Sequence, residues 1–219
     1  MMNGNKSPEY EGLRFFGRMN ASISHEIRNC LAVINENAGL IKDLLFMAAK
    51  GQPLDTERVS GRVDKVLEQV RRTDSIIDNM NRFAHSIDDD FLKINGAEYL
   101  EFVVKLSERF AGMKGIDLKV EPPVKRIELV TFPFFLENIL FLCIERALNN
   151  PDEEKTILMS VEKAGDRVRF TFSGLSRTEN IEGDALWESE KMLERLDAGI
   201  IGGSEPGTFM LDMPDRLKT

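Results

Sequence analysis

Cysteine, histidine and tryptophan are all scarce here: two, two and one among 219 residues. Two cysteines cannot build a disulfide framework, and two histidines without clustered cysteine leave no metal-site pattern. Cys30 and Cys143 each fall on the apolar face of a predicted helix, as small buried fillers. Long apolar runs are missing too. The best of them, Phe134 to Ile144, is too short to span a bilayer and contains Glu137 and Asn138. No secretory pattern opens the chain, since Met1-Met2-Asn3-Gly4-Asn5-Lys6-Ser7-Pro8 is polar and reads as a flexible tail over residues 1–8. An excess of positive charge is also lacking: 29 Lys and Arg stand against 37 Asp and Glu, net -8, which argues against nucleic acid as the main partner. These absences predict a cytoplasmic protein, with no membrane and no nucleic acid as partner.

What the sequence does have is helical periodicity. Apolar side chains at Phe16, Met19, Ile23, Ile27, Cys30, Ile34, Ala38, Ile41 and Leu45 recur at steps of three and four, which is one helix face. The helix should run from Glu9 or Glu11 to Lys50, stopped by Gly51 and Pro53. Asp55 or Thr56 can cap a second helix with a heptad seam at Val59, Val63, Val66, Val70, Thr73, Ile77, Met80, Ala84 and Ile87. Three carboxylates at Asp88-Asp89-Asp90 oppose the helix dipole and should end it. Two antiparallel helices with one stripe each make a poor core alone, whereas two such hairpins make a four-helix bundle. A homodimer built on residues 9–90 is therefore expected; the alternative is a hairpin docked on its own C-terminal domain.

From about Ile94 the texture becomes mixed, and a second domain over 94–219 is expected. Helices are predicted over Gly96–Met113, Phe134–Asn149 and Ala185–Leu196. Strands are predicted over Ile116–Val120 and Ile127–Phe132. Two hairpins should follow, Thr156–Lys163 with Arg167–Phe172 and Gly199–Gly203 with Thr208–Met213. The fold class is thus α+β, a helical hairpin followed by an α/β sandwich.

His25 lies two residues from both Ile23 and Ile27, roughly opposite the apolar face, with Glu26 beside it and Arg28 and Asn29 one turn later. A lone exposed histidine on a helix is ordinarily solvated surface. Here, however, Phe15 to Met19 and Ser24-His25-Glu26-Ile27-Arg28-Asn29-Cys30-Leu31 resemble the H-box of sensor histidine kinases, His-Glu-(Ile/Leu)-Arg-(Asn/Thr)-Pro-Leu, departing from it only at Cys30. The resemblance implies a dimerisation and phosphoacceptor hairpin, then an ATP-binding α/β domain whose last strand Gly207 to Pro214 resembles. An exposed imidazole suits such a role, being a nucleophile near neutral pH.

The nucleotide chemistry departs from the family. The asparagine that would hold magnesium falls on Leu142, and Asn138 matches only the first, less critical asparagine. Leucine cannot ligate a hard cation. The Asp-x-Gly-x-Gly motif, whose aspartate reads adenine in the family, is replaced by Phe170-Thr171-Phe172-Ser173-Gly174-Leu175-Ser176. Between Ser176 and Asp197, seven carboxylates face three basic residues, a charge balance that repels a triphosphate.

An intact phosphoacceptor helix with a degenerate nucleotide domain resembles the bacterial histidine phosphotransferases derived from kinases. That implies a phosphorelay in which His25 passes phosphoryl groups between response-regulator receiver aspartates. ATP is not used, the chain holds no cofactor, and magnesium is brought by the receiver. Glu26 would hold or deprotonate the ring and Arg28 would offset phosphoryl charge. The alternatives are a receiver aspartyl-phosphatase using Glu26 and Asn29, a divergent ATP-dependent histidine kinase, and a non-catalytic receiver-binding adaptor.

Overall fold

In a computed structural model of the chain, residues 8–88, 90–176, 190–203 and 205–217 are described. The expected tail before Pro8, Asp89, Trp187 and the first half of the helix expected over Ala185–Leu196 lie outside them. By internal contacts the chain divides into two compact units, one of Arg18–Ala84 and one that joins the residues up to Gly17 to those from His85 onward.

The first of these is a helical hairpin. Helix α1 spans Pro8–Ala49, the part up to Gly17 belonging to the other unit, and α2 spans Thr56–His85. Gly51 takes a left-handed φ of 91°, which releases the chain from α1. Asp55 then caps α2, its carboxylate accepting the Arg58 N–H at 2.9 Å. Inward along α1 come Cys30, Asn37 and Leu44, at heptad steps. Asn37 is buried; its amide donates to the Val33 carbonyl at 2.8 Å and its oxygen accepts from Arg62 at 3.2 Å.

Here the expected stripes need correction. Ala38 and Leu45 are exposed, and Asn37 takes the inward place that apolarity alone gave to Ala38. On α2, Phe83 is buried rather than Ala84, and Ile87 lies past the helix end, 61% exposed. A 3.6-residue helix drifts against a strict heptad, so a list of apolar steps merges two adjacent lines. One line packs inside the hairpin. The other, with Leu31, Leu45, Val63, Leu67, Val70 and Ile77, stays between 40% and 50% exposed. Helix α2 stops at His85, whose Nδ1 stands 2.7 Å from Asp88 Oδ2.

In the second unit, β1 (Leu92–Asn95), α3 (Gly96–Lys114), β2 (Asp117–Val120), β3 (Glu128–Thr131) and α4 (Pro133–Asn149) come first. They are followed by β4 (Thr156–Ala164), β5 (Arg167–Ser173), α5 (Glu190–Arg195), β6 (Gly199–Gly202) and β7 (Phe209–Pro214). Five strands form a sheet in the order β2-β4-β5-β7-β6, with β2 parallel to β4 and the other pairs antiparallel. Alternation decides its faces: Ile157, Met159, Val161, Val168, Phe170, Phe172, Phe209, Leu211 and Met213 are all buried on the side that α3 and α4 cover. Strand β3 does not join this sheet. It pairs antiparallel with β1, a strand the sequence pattern did not single out. Asn95 ends β1 and caps α3, its side chain accepting the Ala97 N–H at 3.2 Å.

Candidate functional site

His25 sits in the middle of α1 with its side chain exposed. Five residues at 100° each put it about 140° around the helix from the buried Cys30. Arg28 and Asn29, one turn on, are exposed as well, while Glu26 and Ile27 are half-buried. The four predicted site residues therefore lie along one short stretch of helix, three of them in solvent. Helical backbone continues through Cys30, which keeps the N–H that proline would remove, so α1 passes the site without a break. Such an imidazole can attack, or be attacked from, a phosphoryl group presented by another molecule.

The α/β unit presents a different kind of interior. Asn138 is buried and its amide donates to the Met192 sulfur at 3.1 Å, a weak bond to a soft acceptor. Leu142, one turn on, offers no oxygen to a cation. Phe172 is wholly buried and stacks on Phe209, ring centroids 4.9 Å apart and 11° from parallel. The guanidinium of Arg146, on α4, lies 5.7 Å from the Phe209 centroid. Burial pushes the Cys143 thiol up, so it stays protonated and acts as apolar filling. Among the described residues, aromatic, thioether and thiol groups thus fill this interior, a set that does not fit ATP with magnesium.

Gly174 has its own reason. Its φ is 83°, and a Cβ there would stand 2.1 Å from the Thr156 carbonyl oxygen, so no other residue fits.

One polar cluster was not legible beforehand. Glu137, completely buried on α4, accepts hydrogen bonds from Ser86 Oγ and Tyr99 OH, both at 2.7 Å. Its only sequence signal is a carboxylate inside the apolar run Phe134 to Ile144. Two hydroxyl donors reduce the cost of burying it.

The hairpin's identity follows from its sequence once the geometry is in view. Residues 17–87 match the His Kinase A (phospho-acceptor) domain. That stretch contains all of α2 and all of α1 beyond Phe16, His25 included. No curated protein matches the chain. Among solved structures, the catalytic domain of histidine kinase ThkA is 15% identical, with TM-score 0.49, covering 59% of this chain and 100% of that one. Acinetobacter baumannii histidine kinase AdeS is 13% identical with TM-score 0.48, covering 87% and 97%. Histidine kinase ThkA in complex with response regulator protein TrrA is 17% identical with TM-score 0.47, covering 93% of this chain and 63% of that one. The His Kinase A hairpin followed by an α/β unit makes the chain mixed α+β, the class its sequence implied. No helix among the described residues is long and apolar enough to cross a membrane.

Proposed function

We propose that the chain is a histidine phosphotransfer protein of a two-component phosphorelay, which moves phosphoryl groups between receiver aspartates through His25 without ATP. The observation that carries this reading is a contrast within one chain. The phosphoacceptor helix keeps an exposed His25 with Arg28 and Asn29 one turn away, while the α/β interior is filled by Phe172, Phe209 and Met192. A kinase needs both halves to work; a relay needs only the first.

In the transfer, an imidazole nitrogen of His25 forms a P–N bond as the P–O bond to the receiver's aspartate breaks, and the carboxylate leaves. The ring proton passes to solvent or to Glu26. Because the transition state is loose, alignment and charge stabilisation supply most of the catalysis. Arg28 would offset charge on the phosphoryl oxygens. The receiver brings the magnesium. The second transfer, onto another receiver, reverses these bonds.

The same reading includes a homodimer. The apolar flanks of α1 (Leu31, Leu45) and α2 (Val63, Leu67, Val70, Ile77) are half-exposed. In two antiparallel right-handed helices these flanks turn to the same side of the hairpin, ready for a second copy.

Asn29 favours one rival, a receiver phosphatase, since its exposed amide can both donate to and accept from an attacking water. The test is turnover of receivers charged with acetyl phosphate. Relay predicts that His25→Ala abolishes transfer to a second receiver. Loss of turnover in Asn29→Ala, with His25→Ala fully active, would replace relay by phosphatase.

A further inference from the structure

Helix α1 is uninterrupted, yet it belongs to two units: up to Gly17 it packs with the α/β unit, and from Arg18 onward with the hairpin. The packing of its first turns is close. A Cβ on Gly12 would stand 2.9 Å from the Phe134 ring, so glycine is what lets α1 approach α4 there. Three residues on, Phe15 is 4% exposed, its ring 5.9 Å from Phe134 and 5.3 Å from Phe141, both tilted. Phe141 in turn meets Phe110 of α3 at 5.3 Å, edge to face. Phe15 thus enters the aromatic core of the α/β unit rather than resting on its surface.

Gly17 is a separate observation. It is exposed, and nothing lies within 4 Å of a Cβ placed on it, so no close approach demands glycine. What glycine does there is soften the helix, because its backbone loses most freedom on becoming helical. The soft point coincides with the last residue assigned to the α/β unit.

We propose that the first turns of α1 are a latch, with Phe15 as the bolt and Gly17 as the joint, and that the latch regulates transfer at His25. The regulatory arm rests on the relay reading above; the latch itself does not. Phe15 and Gly17 precede His25 by ten and eight residues on the same helix. With Phe15 docked, the first turns of α1 are fixed against Phe134 and Phe141 of the α/β unit. With Phe15 released, the turns before Gly17 are free to fray.

The test uses hydrogen exchange on the full-length protein, alongside transfer from acetyl-phosphate-charged receivers. Phe15→Ala should speed exchange about tenfold or more in both 8–17 and 133–149 while leaving 30–49 unchanged. Gly17→Ala should slow exchange in 8–17, and the two variants should shift transfer rates severalfold in opposite directions. Phe15→Leu, which keeps apolar bulk without the ring, should fall between wild type and Phe15→Ala, and it replaces that variant if it fails to fold. Unchanged exchange in 8–17 or 133–149 overturns the latch. Changed exchange with unchanged transfer, or with shifts in one direction, overturns its regulatory role. A wild type that never carries phosphohistidine removes the relay reading, and the exchange data then decide the latch alone.

Discussion

Phe209 is the residue on which the packing of the α/β interior turns. It is completely buried, stacked on Phe172 beneath the Arg146 guanidinium. Phe209→Ala should cost about 3–5 kcal/mol in urea unfolding, with no recovery on adding ATP and magnesium. Asp212 holds the same strand by charge. Burial pushes its carboxyl up, but hydrogen bonds from Arg169 and Arg167 outweigh that and hold it below the usual carboxylate range. A depressed carboxyl stabilises the fold above its unfolded value of about 4, and the contribution is lost as pH falls through the folded value. Asp212→Asn should therefore be less stable than wild type at neutral pH, with the gap closing on acidification; an equal gap at pH 3 and pH 7 would refute the assignment. At this scale the sequence revealed the exposure of His25 and the burial of Cys30 and Cys143, because each sits unambiguously on or off a helical stripe. It did not reveal Phe83, since Ala84 satisfies the same step of three or four. The partners of Glu137 were also hidden, because Ser86 and Tyr99 reach it from 51 and 38 residues away.

At the scale of elements, the hairpin presents two apolar lines where a self-contained pair of helices needs one. The proposed dimer uses the second. Sedimentation at micromolar concentration should give a dimer for wild type and a monomer for the Val70→Glu, Ile77→Glu double variant, with helical content retained in both. A monomeric wild type would leave those half-exposed side chains without a role. Gly61 lies inside α2 with nothing within 4 Å of an added Cβ. Gly61→Ala should raise stability by about 0.5–1 kcal/mol, read as a higher urea midpoint. The long helices were legible because 30 to 42 residues of period carry a strong signal. Strand β1 was not: four residues, Leu-Lys-Ile-Asn, give too little alternation, and only pairing with β3 makes them a strand.

For the molecule as a whole, an exposed His25 on an unbroken helix is joined in one chain to an α/β unit whose described interior is filled by aromatic and thioether side chains. The match over residues 17–87 belongs to the first part. In the second, the sequence shows Leu142 where the resembled family has its metal-binding asparagine, and one glycine with no aspartate in Phe170 to Ser176. The packing there was not visible, because stacking of Phe172 on Phe209 depends on the register between β5 and β7, which are far apart in the chain. Where the units' boundary crosses α1 was equally hidden, since periodicity runs through Gly17 without a break.

The most direct measurement is acid-labile phosphate on the full-length protein, supplied either as labelled ATP with magnesium or as a labelled receiver. The account predicts no label from ATP, and label from the receiver that disappears in His25→Ala. Label taken from ATP onto His25 would contradict it, and would mean that the filled α/β interior still admits a nucleotide.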